Sequence, residues 1–385
     1  MGAPHKKMIF SIKKKYAINL LIFLLYFSFI IGFVLDENSA GGGSYEGDIT
    51  WIWKNFEIFK SNDLIDSINH PDFFGNRTPL HYILHTLFNP YIFSIDSYRT
   101  SVFIISLSGP VIFYFFLKKK FETLDKQLLI LISSILLLSP YYRTTAYWGL
   151  EENYGLISAL LSFLFITCFL KERNENKQIK YFYLFLTIIF SSSCVYFDQK
   201  LLLIPIVCLI KIITSKTNIK FITFALITYF ILSLPFIYLI INWGGIVPPT
   251  TQEGNPNTIT SFSRLTKLYF PHVGYATTII AFYLFPFLFF KNENLIILIK
   301  KFLLDKKNYY KISIFFIYLF YLIFYFDFKE FTVEKYWIGL GLFHKVSIIL
   351  FNNYLLQEIF TYFVFFISWI IIFIFIDKNY KDFLI

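Results

Sequence analysis

The sequence predicts an all-α polytopic membrane protein with about ten transmembrane helices, in a range of roughly nine to eleven, forming a single membrane domain over residues 1–385. Two observations predict this fold class. Hydrophobic residues make up 56% of the 385-residue chain and charged residues only 16%, a balance that leaves more apolar surface than a soluble domain can bury. The apolar residues also fall in runs long enough to cross a bilayer, and polar or lysine-rich segments separate these runs.

The positive charge of the chain follows from this topology. The formal net charge is +10, but the lysines cluster in short runs between apolar segments, as the positive-inside rule expects. Membrane lipids are therefore expected partners, and no nucleic-acid partner is expected. Cys168, Cys194 and Cys208 all lie within apolar runs, so no disulfide framework is predicted.

The first expected helix begins after a basic segment. Residues 1–16 contain five lysines and precede an apolar run at 17–35. This run is about long enough to span the bilayer, and no small-residue cleavage motif follows it apart from Ser39 and Ala40. We expect a retained first helix, with residues 1–16 in the cytoplasm. The chain is then a multi-pass protein of the plasma membrane, which is the inner membrane in a bacterium.

The remaining expected spans alternate between the two sides of the membrane. A lysine triplet at 118–120 ends the second span and places that end in the cytoplasm. The long polar segments at 36–99 and 244–274 then face the non-cytoplasmic side. After the first helix, the expected spans are 101–117, 128–140, 154–170, 181–197, 201–214, 221–243, 275–290, 312–326 and 362–376.

Three further segments complete the predicted topology. The segment 291–311 is rich in lysine and apolar residues, so it is expected to be a cytoplasmic amphipathic segment. The apolar stretch 337–351 is either re-entrant or an additional span, which leaves the side of the C-terminus open. Pro248, Pro249 and Pro256 predict an irregular chain in the second long loop.

Four carboxylates stand near the end of the first helix. Asp36 and Glu37 close that helix, where partial desolvation raises a carboxylate pKa towards the range of a general base. Alternatively, the two are a charge pair exposed to water. Glu46 and Asp48 follow three glycines at 41–43, and a flexible glycine turn allows them to return towards the first pair. Asp36 and Glu37 are therefore the first candidates for the catalytic base, and Asp48 is a rival candidate that the sequence leaves open. Glu46 is a candidate substrate contact.

A second group lies further along the same loop. If the segment after Pro79 is helical, Arg77, His81 and His85 share one face, since the two histidines are four residues apart. An HxxxH pair can bind zinc, but no third ligand is evident nearby and the sequence has no HExxH pattern. We therefore predict no metal site and assign no cofactor, while a divalent cation is left open. Arg77 and His81 are candidate contacts for a substrate phosphate.

The segment YYRTTAYWGLEENYG, residues 141–155, is a polar cluster between the third and fourth expected spans. Arg143, Glu151 and Glu152 are expected there at the outer interface, where charges are costly unless they are paired or used. Two interpretations stand side by side. These residues line a polar substrate pocket, or Arg143 pairs with one of the two glutamates and joins two helices.

Basic residues are spread over the second half of the chain. Lys200 follows Asp198 in a tight hairpin between two spans, and it either pairs with Asp198 or contacts an anionic headgroup. The other basic candidates for contact with a lipid phosphate are Arg264, Lys267, His272, His344 and Lys345. Together these residues would complement the acidic first loop, a combination that suits a phosphate beside a carboxylate base.

These features together resemble the GT-C class of membrane glycosyltransferases. The pair Asp36 and Glu37 resembles the acidic motif that follows the first span in protein O-mannosyltransferases and aminoarabinose transferases. RTPLHYIL at 77–84 is similar to the Pro-rich helix start in the same loop of many members, including the glucosyltransferase that completes dolichol-linked oligosaccharides. YFDQKLLL at 196–203 resembles the RQ motif of that enzyme, with Asp198 where the arginine would stand.

The resemblance implies an inverting transfer of a sugar from a polyprenyl-phosphate or dolichyl-phosphate donor to an acceptor on the non-cytoplasmic side. The acceptor would be a lipid-linked glycan, a surface polysaccharide or a protein. One carboxylate of the first loop would deprotonate the acceptor hydroxyl, and basic residues would hold the leaving phosphate. The resemblance also implies a GT-C-like fold whose long first loop carries interfacial helices.

Two other functions fit the predicted topology. A multi-pass transporter, or a flippase for lipids or oligosaccharides, also combines many spans with intramembrane charges. Inverted repeats and broken helices would be expected of it, and neither is clear in the sequence. A membrane scaffold without catalysis would not need a carboxylate-rich loop facing basic residues. We therefore expect an enzyme, a glycosyltransferase.

Overall fold

A computed structural model of the protein describes residues 3–40, 43–75, 77–172, 177–215, 217–254, 270–285, 295–328 and 341–383. These residues form helices and connecting turns, and no β-strand occurs among them. The all-α class predicted from the sequence is therefore confirmed for the described residues. The chain divides into two compact units, Met1–Leu265 and Thr266–Ile385.

The first unit holds the long first loop and most of the candidate residues. Its α-helices are α1 (Ala3–Val34), α2 (Asp48–Ser61), α3 (Leu64–Ile68), α4 (Leu80–Phe88), α5 (Ile95–Ser106), α6 (Ser108–Lys120), α7 (Lys126–Ser134), α8 (Pro140–Tyr147), α9 (Glu151–Lys171), α10 (Lys177–Phe197), α11 (Leu203–Thr214), α12 (Ile219–Trp243) and α13 (Pro249–Gly254). Two short 3-10 helices, Ile135–Leu138 and Gln199–Leu202, precede α8 and α11.

The second unit is built from helices that pack through aromatic side chains. These are α14 (Phe270–Leu284), α15 (Leu295–Leu304), α16 (Tyr309–Tyr325), α17 (Gly341–Leu350) and α18 (Tyr354–Phe383). The ring of Phe365 on α18 lies 4.9 Å from Tyr275 on α14, centroid to centroid. On α16, the ammonium group of Lys311 donates to both carboxylate oxygens of Asp377 at 2.7 Å. α15 forms a helix within the predicted amphipathic segment.

Seven helices in the described part of the chain are long and apolar enough to cross a membrane. They are Lys15–Val34, Ile95–Lys120, Glu151–Lys171, Gln178–Phe197, Ile219–Trp243, Lys306–Tyr325 and Tyr354–Asp377. The pair Lys126–Leu138 and Pro140–Tyr147 passes the same test together but bends by 68°, which makes eight candidates if the pair is one span. This set of helices is compatible with a multi-pass membrane protein.

One stretch predicted as a span, 201–214, contains α11 with 12 residues. α14 overlaps the predicted span 275–290, and α17 lies within 337–351, which was expected to be re-entrant or an additional span; both helices border residues outside the described part of the chain. A helix rises about 1.5 Å per residue, so crossing the hydrocarbon core takes about 20 residues. An apolar run overestimates a span when the helix that it forms starts late or stops early. The total of about ten spans stays a prediction, because 286–294 and 329–340 lie outside the described residues.

The first helix ends in a Schellman motif built on the acidic pair. Asp36 has a φ of 52°, the left-handed conformation that closes many helices and that aspartate tolerates better than most residues. The backbone N–H of Glu37 donates to the carbonyl of Gly32 at 2.9 Å, and that of Asp36 donates to Phe33 at 3.2 Å. The two carboxylates therefore leave α1 in defined directions.

The main core of the first unit packs α1, α5 and α8 together. Phe29 of α1 is fully buried, and its ring lies 5.3 Å from Phe103 and 5.0 Å from Tyr147. The hydroxyl of Tyr147 donates to the Phe29 carbonyl at 2.7 Å. Buried aromatic pairs of this kind contribute about 0.5–1.5 kcal/mol beyond the area that they bury. This packing holds the end of α1 against the start of the α8–α9 turn.

Gly149 makes the turn between α8 and α9. Its φ of 65° favours glycine, and a Cβ atom at this position would meet the ring of Tyr98. The backbone N–H of Leu150 donates to the carbonyl of Thr145 at 3.0 Å and closes α8. The turn starts α9 with Glu151 in its first position, so the two adjacent glutamates lie at a helix N-terminus.

The prolines of the second long loop predicted an irregular chain, but part of this loop is helical. Residues 249–254 form the short helix α13, and Pro249 is its first residue. A proline at this position costs the helix no hydrogen bond, because the first N–H groups of a helix have no partner within it. Pro256 lies outside the described residues.

Candidate functional site

Asp36, the first carboxylate of the acidic pair, forms an ion pair with Arg99 of α5. The distance from Asp36 Oδ1 to Arg99 Nη2 is 2.5 Å. The guanidinium group of Arg99 is buried over the indole of Trp148, 4.0 Å from the ring centroid. A buried arginine needs such partners, since an unpaired charge there would be costly. Asp36 therefore fixes the end of α1 to α5.

Glu37, the second carboxylate, is held by Arg143 of α8 at both of its oxygens. Arg143 Nε donates to Glu37 Oε1 at 2.9 Å, and Nη2 donates to Glu37 Oε2. Ser28 accepts from Nη1 and Nη2 through its hydroxyl and carbonyl, and the Leu137 carbonyl accepts from Nη1 at 3.1 Å. All five N–H groups of the guanidinium are thus engaged.

The ion pair sets the protonation of Glu37. Burial raises the pKa of Glu37, but the hydrogen bond and the charge of Arg143 outweigh that effect and hold the pKa below its ordinary value. A carboxylate with a lowered pKa is a weak proton acceptor. The catalytic roles of Asp36 and Glu37 stay predictions, and each of the two carboxylates is bound to an arginine.

Arg143 does not pair with its neighbours in the sequence. Of the two interpretations of this segment, the ion pair of Arg143 with Glu151 or Glu152 is wrong, because the Gly149 turn starts a new helix and Arg143 lies against α1 instead. Since Glu37, Ser28 and a backbone carbonyl use all of its donors, Arg143 also has no N–H group left for a substrate phosphate.

Arg77 is the partner of both glutamates. Its Nη1 donates to Glu151 Oε2 at 2.8 Å, and its Nη2 donates to Glu152 Oε1. Burial lowers the pKa of Arg77, but the two carboxylates raise it by more, so the guanidinium stays charged. Two of the five N–H groups are used in these pairs. Arg77 and the two glutamates were predicted as substrate contacts in separate segments, and the structure brings all three together.

Tyr82 of α4 completes this cluster. Its hydroxyl donates to Glu151 Oε1, so each oxygen of Glu151 has a partner. The side chain of Tyr82 is buried, and burial together with the charge of Glu151 raises the pKa of its hydroxyl. Glu151 therefore links Arg77, which precedes α4, to α4 itself.

The chain around Arg77 is anchored by three other helices. Asn55 of α2 donates to the Phe74 carbonyl at 2.6 Å. The backbone N–H of Gly75 donates to the Thr251 hydroxyl of α13 at 3.0 Å. Thr78 donates to the Tyr196 carbonyl of α10 at 2.6 Å. These contacts fix the position of Arg77 although it lies in a loop.

Asp48 lies close to Arg77 and has a different environment from the acidic pair. It is the first residue of α2, its side chain is accessible, and it forms no ion pair with any described residue. Desolvation by the surrounding protein raises the pKa of Asp48, against the opposing charges of Arg77 and Lys200. Asp48 thus combines a raised pKa with two cations close enough to influence it.

Lys200 and Asp198 do not form an ion pair through the lysine ammonium. The carboxylate of Asp198 accepts from the backbone N–H of Lys200 at 3.1 Å and from the hydroxyl of Tyr141 at 3.2 Å. Asp198 is buried as the N-cap of the 3-10 helix before α11, while the side chain of Lys200 is exposed. Of the two alternatives for Lys200, the pair with Asp198 is therefore wrong, and the Lys200 ammonium is accessible near Asp48.

His81 is placed where a substrate does not reach it. The helix predicted after Pro79 is confirmed as α4, and both of its histidines are buried. His81 Nε2 lies 2.8 Å from the Tyr98 hydroxyl. Burial lowers the pKa of both histidines, that of His85 to about 4. They are neutral at pH 7.

The other predicted contacts are spread over both units. Glu46 is exposed, between Tyr45 and the start of α2. His272 is half-buried on α14 of the second unit. His344 and Lys345 belong to α17 of that unit. Arg264 and Lys267 lie outside the described residues.

Two partners of the candidate residues, Arg99 and Tyr82, were not predicted from the sequence. Arg99 is a single arginine directly before the apolar run at 101–117, and a charge at the start of a span calls for a partner. That signal could have found its pair with Asp36. Tyr82 carries no comparable signal, because a tyrosine on an amphipathic helix is ordinary. Its role depends on a contact 69 residues away in the sequence.

We name the group formed by Asp48, Arg77, Glu151, Glu152 and Lys200 the Arg77 cluster. Within the described residues, no three His, Cys, Asp or Glu side chains lie close enough together to hold a metal ion.

Comparison with protein-family models, with curated proteins and with solved structures finds no match for the chain.

Proposed function

We propose that this protein is an integral-membrane glycosyltransferase of the GT-C type. It transfers a sugar from a polyprenyl-phosphate-linked donor to a glycan, lipid or protein acceptor, with inversion at the anomeric carbon. The site faces the non-cytoplasmic side, and the N-terminus lies in the cytoplasm. One observation carries the proposal. Asp48 is an accessible carboxylate with a raised pKa and no ion-pair partner among the described residues, and it lies near two cations.

The Arg77 cluster contains the groups that this reaction needs. Asp48 would accept the proton of the acceptor hydroxyl as the hydroxyl oxygen attacks the anomeric carbon. The bond between that carbon and the phosphate oxygen breaks on the opposite side, and the charge that develops there needs fixed cations. Lys200 supplies an exposed ammonium, and Arg77 has N–H groups beyond its two ion pairs.

Asp48 is favoured over the acidic pair because of what holds each carboxylate. The Glu37 carboxylate is bound at both oxygens by Arg143, so its proton affinity is lowered. Asp36 is bound by Arg99. A base must accept a proton during the reaction, and an ion pair opposes that step. Asp36 and Glu37 then hold the loop that presents Asp48.

The experiment uses the full chain in proteoliposomes. The donors are a panel of hexoses and pentoses linked to polyprenyl phosphate. Membranes that lack this protein supply the acceptors. Release of polyprenyl phosphate is measured by mass spectrometry. Because general base catalysis contributes about 10²–10⁴-fold, Asp48→Asn should reduce release by at least about 100-fold. Asp66→Asn, which changes another exposed aspartate of the same loop, should leave it unchanged.

Equal release by the wild type and Asp48→Asn would overturn the assignment of the base. A wild-type protein that moves the intact donor between leaflets and releases no polyprenyl phosphate would overturn the glycosyltransferase proposal. That result would indicate the flippase function instead.

A further inference from the structure

Three aromatic side chains meet where α4 contacts α9. The rings of His81 and His85 lie 4.6 Å apart, and the ring of Tyr154 lies 5.5 Å from His81 and 5.0 Å from His85, all between centroids. Each ring has one buried polar atom with no hydrogen-bond partner among the described residues. These atoms are His81 Nδ1, His85 Nε2 and the Tyr154 hydroxyl oxygen.

The proton of His81 can be placed from its neighbours. The Tyr98 hydroxyl donates its single hydrogen to the Gly149 carbonyl, so its oxygen must accept from His81 Nε2. A neutral imidazole carries one ring proton, and in His81 that proton is on Nε2. The unpartnered Nδ1 of His81 is therefore a hydrogen-bond acceptor.

The proton of His85 follows from Asn89. The side-chain carbonyl of Asn89 accepts from the backbone N–H of Tyr91 at 3.0 Å, which orients the amide. The amide nitrogen then donates to His85 Nδ1 at 2.8 Å. Because Nδ1 accepts, the ring proton of His85 is on Nε2. The unpartnered Nε2 of His85 is therefore a donor.

We propose that one water molecule binds where these three rings meet and bridges their unpartnered atoms. The water accepts from His85 Nε2, donates to His81 Nδ1, and shares its remaining hydrogen-bonding capacity with the Tyr154 hydroxyl. The three groups comprise one donor, one acceptor and one hydroxyl that can be either, which matches the usual three bonds of a buried water. Without the water, each unpartnered group would cost about 1–3 kcal/mol.

The same proton positions argue against zinc at the HxxxH pair. A metal ion bound by both histidines would need a lone pair on each of the two unpartnered nitrogens. His81 Nδ1 offers one, but His85 Nε2 carries a hydrogen because Asn89 donates to its other nitrogen. The HxxxH pair is therefore suited to bind water and not zinc.

The water has a structural consequence for the Arg77 cluster. Arg77 precedes α4, and Glu151 and Glu152 form the first turn of α9. A water that joins α4 to α9 ties together the two helices whose ends carry the ion pairs. This inference goes beyond the proposed function, because it concerns a buried site away from the reacting groups.

The first test is a structure of the full chain in nanodiscs at a resolution that shows ordered water. We expect an isolated density peak about 2.7–3.2 Å from His81 Nδ1, His85 Nε2 and the Tyr154 oxygen. The absence of a density peak within hydrogen-bonding distance of these three atoms would overturn the proposal. So would a stoichiometric transition metal, measured by elemental analysis of the purified protein.

The second test examines the proton positions in the same full chain. Nitrogen-15 labelling of the histidines, with NMR of the ring nitrogens, distinguishes the two neutral tautomers. We expect His81 and His85 both to carry the proton on Nε2 at pH 7. A proton on Nδ1 of His85 would overturn the proposal. Neither test uses sugar transfer, so each is independent of the proposed function.

Discussion

Arg143 donates one hydrogen bond to each carboxylate oxygen of Glu37, across 106 residues of sequence. The guanidinium is almost completely buried, with 8% of its side chain exposed, while Glu37 is 31% exposed. The acidic end of the first helix is therefore a fixed attachment between α1 and α8. Glu37 and Asp36 are therefore held in ion pairs that stabilise the fold, and Asp48 is not.

The first prediction concerns Glu37→Gln. Its folded-state pKa is lowered, so the stability that the carboxylate contributes is fully present above its unfolded pKa of about 4.3 and is lost as the pH falls through the folded pKa. The variant should lower the melting temperature at pH 7, and the difference from the wild type should shrink as the pH falls below about 4. Asp66→Asn serves as the control. A pH-independent difference would contradict the ion-pair explanation.

Asp48→Asn should have the opposite effect on stability. The pKa of Asp48 is raised, so its contribution to stability is fully present below the unfolded pKa of about 3.9 and is lost as the pH rises through the folded pKa. The variant should therefore melt at a higher temperature than the wild type at pH 7 and at the same temperature near pH 3. Thermal denaturation in detergent across this range measures both. A lower melting temperature at pH 7 would show that Asp48 is a stabilising ion-pair partner.

The pH dependence of sugar release provides a separate prediction for Asp48. A general base works in its deprotonated form, so release should rise with pH through the raised pKa of Asp48 and then level off. In Asp48→Asn the residual release should not follow this rise. The measurement is the initial rate of polyprenyl phosphate release at a series of pH values. The same rise in the variant would assign the titration to another group.

Tyr82→Phe should destabilise the first unit. The buried hydroxyl donates to Glu151, and its loss leaves one carboxylate oxygen without that donor, at a cost of about 1–3 kcal/mol. Tyr91→Phe removes a hydroxyl from an exposed tyrosine and should have little effect. Chemical denaturation of both variants measures the difference. Equal stability of the two would mean that Glu151 does not depend on Tyr82.

In the second unit, removing Asp377 and removing Lys311 should have unequal effects on stability. Lys311 has 8% of its side chain exposed and Asp377 has 43%. Asp377→Ala leaves a buried ammonium without its partner, which should cost about 3 kcal/mol or more. Lys311→Met leaves a carboxylate that water can reach, so its cost should be about 1 kcal/mol or less. The reverse order of stabilities would contradict this explanation.

Local features of the site were predicted well from the sequence. The helix after Pro79 is α4, and the apolar helix within 291–311 is α15. Such elements depend on the periodicity of neighbouring residues and on a proline at the helix start. The candidate residues Arg77, Glu151 and Glu152 were also chosen from the sequence, and they lie together.

The partners of the charges were predicted poorly. A pair of Arg143 with the glutamates near it in sequence, and a pair of Lys200 with Asp198, were each one of two alternatives, and neither pair forms. Glu151 instead pairs with Arg77, 74 residues away. Proximity along the chain is a weak guide, because a turn such as Gly149 redirects a helix and its side chains.

The sequence by itself determined that this is an all-α chain with several membrane-length helices, because apolar length and helical propensity are local properties. Only the tertiary structure decided which carboxylates are bound by arginine and which one is accessible. The energy of an ion pair depends on distance and burial, and both are set by helices far apart in the chain. The sequence favoured Asp36 and Glu37 as the base and left Asp48 open as a rival. Their surroundings in the fold distinguish them.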